Sequence, residues 1–463
     1  MKKFIYLRRF ILIPLLLVFC TTIKGQMTAL SGIWEGDLSI GEERLKLVLF
    51  IEDRGDSLYV VLDSPDQYVT DIKTDSYSFR NDTVRFTVKA LECKYVGRYD
   101  GEKIVGKFTQ RGASFKLTLK KTEVRQLFPR PQEPMPPYPY DEIKLSIPYT
   151  TNGQKVNGTL TLPREGKPKA AVIFISGSGW QDRDESIFGH KPFKLLADQL
   201  TRAGYATFRY DDPPRATFVK QTTFDFVQIV QAIFDSLSTR KDLHSAPIGL
   251  LGHSEGGLVS WIAAAKNPGI AFVVSLAGPS QQLDKILLYQ VKKTYQSAES
   301  NHGKTDRILQ VSNDLYNIIK KSKTIERARK KVDQYYEKLL RAGNGQTDST
   351  VKEMVSAEKE QLLQPWFFTL MHINPTVYIK KVKCPVLALN GSQDAQVESN
   401  ANLAGIQDNL TQNPVSECIE LKGMNHLLQE CDTGLWDEYG KIEQTLSPKA
   451  IQLILNWLDK TVK

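Results

Sequence analysis

Cysteine is scarce in this chain, with five in 463 residues. No two form a Cys-x-x-Cys pair and no His/Cys group has zinc-ligand spacing, so a zinc ribbon or a dithiol redox centre lacks its ligands. Beyond the N-terminus only Cys93, Cys384, Cys418 and Cys431 remain. A Cys418–Cys431 bridge and four separate thiols are both open. Charge of one sign is also lacking. The net charge of +9 drops to +4 without residues 1–25, which hold five Lys/Arg and no acid. Nothing there calls for nucleic acid as a partner. The run Arg327-Ala328-Arg329-Lys330-Lys331 reads as a solvated helix face.

Residues 1–25 read as a secretory signal. Lys2, Lys3, Arg8 and Arg9 form a basic start, 10–19 is apolar around Pro14, and Gly25 precedes a cleavage point before Gln26. The apolar run is short of the roughly 20 residues of a membrane span. The expectation is export, to a periplasm or out of the cell, with no stable membrane span after cleavage. The alternative is an uncleaved anchor. Bulky Phe19 before Cys20 speaks against a lipoprotein.

Residues 26–128 alternate apolar and polar positions, as in Leu45-Lys46-Leu47-Val48-Leu49 and Thr83-Val84-Arg85-Phe86-Thr87-Val88. Period-two patterning with polar turns predicts a small all-β antiparallel domain. A Pro-rich linker is expected over 129–141, where six prolines disfavour helix. From 142 to 463 apolar runs (171–175, 206–208, 248–251, 273–276, 386–389) alternate with helical patterns. This predicts an α/β domain with a mostly parallel sheet, closed by a helix from Pro448 to Leu458. The rhythm breaks at about 280–380. Ile308, Val311, Leu315 and Ile318 have helical spacing there, as do Val332, Tyr335/Tyr336 and Leu339, which predicts a helical cap.

One motif carries chemistry. A strand at 248–251 runs into Gly252-His253-Ser254-Glu255-Gly256 and then a helical stretch. Gly-x-Ser-x-Gly arises by chance about 0.15 times in such a chain. Its strand–turn–helix context makes it the signature of a nucleophile elbow, with Ser254 at the apex. A serine hydroxyl needs a base, and in this arrangement the order is Ser, acid, His. Of six histidines only His426 lies in a loop after a late strand; His253 is expected to point elsewhere. Asp394, in the loop after 386–389, is the acid expected to orient it, with Asp408 and Glu417 as weaker rivals. The oxyanion donors are expected to be the backbone N–H groups of Glu255 and Ser178, with Gly179 as alternative.

Beyond these residues the chain resembles a known family. The segments Ser176-Gly177-Ser178-Gly179-Trp180-Gln181-Asp182-Arg183-Asp184-Glu185, Gly-His-Ser-Glu-Gly-Gly at 252–257, Asn390-Gly391-Ser392-Gln393-Asp394 and Asn425-His426-Leu427 are similar to EstD-like α/β-hydrolases, often labelled serine aminopeptidase-type domains. The β-rich N-terminal part, with Trp34-Glu35-Gly36, looks like the first domain of many Bacteroidetes members. The resemblance implies carboxylesterase activity on short acyl esters, no cofactor and no metal. It places the catalytic triad at Ser254, Asp394 and His426. Pro213-Pro214 departs from the family's Gly-rich loop, which puts substrate scope in doubt. A serine peptidase on the same triad, and a binding module with a silent hydrolase domain, are the rival readings. The oligomeric state is not legible.

Overall fold

A computed structural model describes residues 30–462, except 42, 55–57, 151–152, 298–301, 343–358, 360 and 412. The expected signal segment therefore lies outside the described residues, as does part of the expected cap. The chain forms two units, Met1–Pro129 and Arg130–Lys463.

In unit 1 the alternating segments become strands β1 (Gly32–Ile40), β2 (Glu43–Asp53), β3 (Leu58–Ser64), β4 (Val69–Lys73), β5 (Ser76–Arg80), β6 (Thr83–Val88), β7 (Cys93–Tyr99), β8 (Lys103–Gln110) and β9 (Ala113–Thr122). They make one sheet in the order β4-β3-β2-β1-β9-β8-β7-β6-β5, with every neighbouring pair antiparallel. Alternation sends one side chain in two inward. Trp34, Leu49, Phe86, Tyr95, Phe108 and Leu117 belong to the single core that results. Arg125 then pairs with Asp63 and Asp71 at the β3–β4 end.

Unit 2 has an eight-stranded sheet: β10 (Tyr140–Pro148), β11 (Lys155–Pro163), β12 (Ala171–Ile175), β13 (Ala206–Tyr210), β14 (Ile248–His253), β15 (Val273–Leu276), β16 (Val386–Gly391) and β17 (Glu417–Leu421). The order is β10-β11-β13-β12-β14-β15-β16-β17. The sheet is mixed. The strands from β13 to β17 pair in parallel, while β10–β11 and β11–β13 are antiparallel. β10 and β11 lack the continuous apolar runs that mark the parallel strands in the sequence. β10 has only one well-buried face, so its residues alternate.

The parallel strands are covered on both sides. Helices α1 (Pro192–Arg202) and α11 (Pro448–Thr461), which pack together, bury Leu196, Leu200, Ile454 and Trp457 in one core; α3 (Thr223–Ser238) and α4 (Glu255–Lys266) fill the other. The short α2 (Arg215–Phe218) follows Pro213-Pro214. The Pro-rich segment is tied into unit 2 from Arg130 on. The Arg130 guanidinium donates to the carbonyls of Phe188 and Gly440, and Glu133 pairs with Lys191 and Lys194.

Between β15 and β16 lie α5 (Leu283–Ser297), α6 (His302–Lys320), α7 (Ile325–Ala342), α8 (Pro365–His372) and α9 (Thr376–Ile379); α10 (Ser399–Asn409) follows β16. The first four share a core of Val311, Leu315, Tyr316, Ile319, Val332 and Phe367. Ile319, fully buried, takes the place that helical spacing had assigned to Ile318, which is partly buried.

Candidate active site

Ser254 sits where β14 ends and α4 begins, with φ 52° and ψ −119°. A side chain is strained there, and such strain persists only where the surroundings impose it. Here they do. The Ser254 N–H donates to the Leu276 carbonyl at 2.8 Å. A Cβ on Gly252 would stand 2.2 Å from the Gly256 carbonyl oxygen, and one on Gly256 would stand 2.0 Å from that of Ile175. Only glycine allows so close a crossing of strand and helix.

Asp394 and His426 come from the loops after β16 and β17. Both are buried, at 1% and 3% exposure. His426 Nδ1–H donates to Asp394 Oδ2 at 2.7 Å. The other carboxylate oxygen accepts the N–H groups of Gln396 (2.7 Å) and Val397 (2.8 Å), so the carboxylate is fully engaged without a cation. His426 Nε2 is left as that ring's unspent nitrogen among the described residues. Ser254 and His426 line the same cavity, of about 580 Å³. No hydrogen bond joins the Ser254 hydroxyl to His426 among the described residues; such contacts often tighten only when substrate binds. Asp408 lies on α10 and Glu417 opens β17, and among the described residues neither is hydrogen-bonded to His426.

The loop after β12 is pinned from several sides. The Gly177 N–H donates to Glu185 Oε1 at 2.7 Å, so it is already spent. Gln181 N–H donates to Asp212 Oδ2, and the Trp180 indole N–H to the Pro213 carbonyl. Arg215 lies over the Trp180 ring, 4.4 Å from its centre. The Pro213 carbonyl thus helps to anchor this loop. Ser178 and Glu255 both line the cavity; Gly179 instead borders a small void shared with Asp212.

Two polar clusters went unread in the sequence. The Glu255 side chain, 6% exposed, accepts from Ser178 Oγ (2.9 Å), Thr223 Oγ1 (2.9 Å) and the Trp366 indole (2.9 Å). One carboxylate therefore ties the elbow to the loop after β12, to α3 and to α8. Burial raises its pKa, and these three donors pull it back. The second cluster centres on His253. Contrary to expectation, its ring lines the cavity, 4.8 Å centre to centre from that of His426. Its Nε2–H donates to the His426 carbonyl (3.1 Å) and Nδ1 meets Glu185 Oε1 (2.9 Å). Burial alone would lower the His253 pKa, but Glu185, reinforced by the His426 carbonyl, raises it. The spacing between Glu185, His253 and Glu255 held no signal, because their partners meet only in three dimensions.

Cys93, Cys384, Cys418 and Cys431 are all free thiols, so Cys418 and Cys431 are not bridged. Among the described residues no group of three His, Cys, Asp or Glu could hold a metal ion, and no helix is long and apolar enough to cross a membrane.

Along the sheet the strands run 1-2-4-3-5-6-7-8 in chain order, and Ser254, Asp394 and His426 follow the fifth, seventh and eighth. The chain is similar to Esterase EstD. That protein, from Thermotoga maritima, is 31% identical over 151 residues, which cover 31% of this chain and 34% of the relative. The chain thus spans about a third of the length of the curated relative it matches. No family model matches. Similar solved structures include a dienelactone hydrolase from Anabaena variabilis (TM-score 0.40, 16% identity, covering 70% of this chain and 99% of that one). Others are Est1E from Butyrivibrio proteoclasticus (0.41, 14%, 69% and 98%) and an esterase of Pyrococcus furiosus (0.42, 13%, 74% and 100%).

Proposed function

We propose that the protein is a serine hydrolase that cleaves carboxylic esters through an acyl-serine intermediate. One observation carries the reading. Ser254, strained at its elbow, shares a cavity with a histidine whose Nδ1 is locked on a buried carboxylate. With Nδ1 protonated, the Nε2 lone pair can take the Ser254 proton as Oγ attacks the ester carbonyl carbon. The tetrahedral oxyanion rests on the N–H groups of Ser178 and Glu255, each donor supplying about 3–4 kcal/mol. Collapse breaks the ester C–O bond, and Nε2–H protonates the departing alcohol. Water, deprotonated by His426, then attacks the acyl-enzyme; the acyl C–Oγ bond breaks, Nε2–H returns its proton to Ser254 Oγ, and the acid is released. Asp394 holds the ring and stabilises the imidazolium without taking its proton.

The cavity favours an uncharged acyl group. Leu258, Leu287, Val291, Phe367 and Leu370 are among its lining. Its charged residues among those described are Glu185, Glu255, His253 and His426, and each carboxylate already has partners. None is spare to anchor a peptide terminus, which supports ester over amide substrates. The volume falls within the ~300–1,000 Å³ of sites for drug-sized ligands, so acyl groups longer than the short ones of the family resemblance are within reach. The basic and apolar start of the sequence supports export; fractionation of cells that express the full chain tests it.

Labelling the purified protein with a fluorophosphonate and mapping the adduct tests the chemistry. An adduct on Ser254 that disappears in His426→Ala is expected. Absence of an adduct on folded protein, or near-wild-type ester hydrolysis by Ser254→Ala, would overturn the reading.

A further inference from the structure

The inner face of β5–β9 lines part of the core of unit 1, and its outer face is dominated by cations. Alternation fixes which residues point outward. Phe79, Val84, Phe86, Tyr95, Ile104, Phe108, Leu117 and Leu119 are inside. Their neighbours Arg80, Arg85, Lys94, Arg98, Lys103, Lys107, Lys116 and Lys120 therefore share the other side, with Val96 and Val105 between them. That is eight cations with no acid on the outward positions of five strands. The acids nearby (Asp82, Glu92, Asp100 and Glu102) belong to the turns at the strand ends. None of the eight cations joins an ion pair among the described residues, although Glu35 of β1 stands opposite Lys120.

The register adds an energetic argument. Lys107 lies directly opposite Lys116, and Lys103 directly opposite Lys120. Like charges in such cross-strand positions destabilise a sheet. A surface that keeps them, with no ion pair to any of the eight among the described residues, suits an external polyanion.

The pattern selects among polyanions. No aromatic side chain faces outward on these strands, so the face offers no platform on which bases could stack. The cations spread over all five strands rather than along one line that a single polymer chain would follow. Two valines, 43% and 48% exposed, stand among them. We infer that the outer face of β5–β9 docks on an anionic lipid surface. The cations meet headgroup phosphates while Val96 and Val105 rest against the apolar boundary of the headgroups.

The test uses the full chain and its Lys103→Glu/Lys107→Glu variant, so that the N-terminal segment is common to both. Each new glutamate faces a lysine of β9, so the melting temperature should hold or rise while binding falls. Sedimentation with vesicles of phosphatidylcholine containing 30% phosphatidylglycerol is compared with pure phosphatidylcholine. At least tenfold weaker partitioning of the variant onto the anionic vesicles, and loss of the difference in 0.5 M salt, are expected. Equal partitioning of the two proteins would overturn the proposal. So would binding to dextran sulfate or a polynucleotide with no preference for anionic vesicles, which would assign the face to a soluble polyanion instead.

Discussion

The cavity holds two histidine–carboxylate pairs that look alike and differ in one nitrogen. His426–Asp394 and His253–Glu185 are both buried, at 2.7 and 2.9 Å. Both carboxylates also accept backbone N–H groups. In the first pair the ring spends only Nδ1. In the second it spends both nitrogens, on Glu185 and on the His426 carbonyl. A ring with both nitrogens engaged cannot relay a proton to substrate. It can hold two loops in register, here the loop after β12 through Gly177 and the loop after β17 through His426. Proximity to the nucleophile therefore does not identify a base; an unspent nitrogen does.

Breaking the first pair should have the largest effect. Ser254→Ala or His426→Ala is expected to lower kcat for a p-nitrophenyl acyl ester by about 10⁴–10⁶, with the melting temperature little changed. Asp394→Asn should cost about 10⁴, because the amide can present N–H to Nδ1 and favour the wrong tautomer. Steady-state kinetics on the three variants checks the order. A loss below tenfold in any of them would contradict the assigned role.

The second pair should behave as a positioning device. Glu185→Gln keeps an acceptor for the Gly177 N–H but removes the charge that faces His253. An intermediate loss, about tenfold to a hundredfold in kcat with KM within a few-fold, is expected, since the donor beside Gly177 shifts without vanishing. Glu185→Ala frees the Gly177 N–H as well and should lose more. If the role were packing alone, stability would fall in both variants while kcat followed only the folded fraction. Glu255→Gln sharpens the contrast differently. The amide retains one acceptor oxygen for Thr223 and Trp366 but turns a donor toward Ser178 Oγ. A rise in KM with a smaller fall in kcat is expected, read from the same assay.

These contrasts also mark what a sequence can reveal. The strands at 171–175, 248–253, 273–276 and 386–391 were readable because both faces are buried and the residues are continuously apolar. The strand–helix turn at Ser254 was readable because it admits only small neighbours, and the places of Asp394 and His426 in loops after late strands because the order of elements along the chain restricts them. β10 and β11 were not, since alternation beside a Pro-rich segment carries no sign of which sheet it joins. Nor were Thr223, Trp366 and Glu185. Each is 32 to 111 residues from its partner on Glu255 or 68 from His253, and such distances leave no local pattern.

A half-buried carboxylate extends the comparison, because it has no ring at all. Asp212 accepts one hydrogen bond, from Gln181 N–H, and faces Glu255, Glu185 and Asp211. Burial first, then these like charges, push its pKa up to about 8. Asp394 has an imidazole and two N–H groups as partners; among the described residues the Asp212 carboxylate has one N–H group and no ring or cation. The sign of the consequence follows from linkage. Between pH 4 and 8 the folded protein keeps a proton that the unfolded chain releases, so this contribution to stability is complete below about pH 4 and declines as pH rises toward 8. Asp212→Asn keeps the acceptor for Gln181 and removes the titration. The variant should match wild type near pH 4 and exceed it by at least about 1 kcal/mol at pH 8. Urea unfolding at the two pH values measures this. A pH-independent difference between the proteins would mean that Asp212 is ionised in the fold, and that its neighbours tolerate a charge with no counterpart to the ring that His426 gives Asp394.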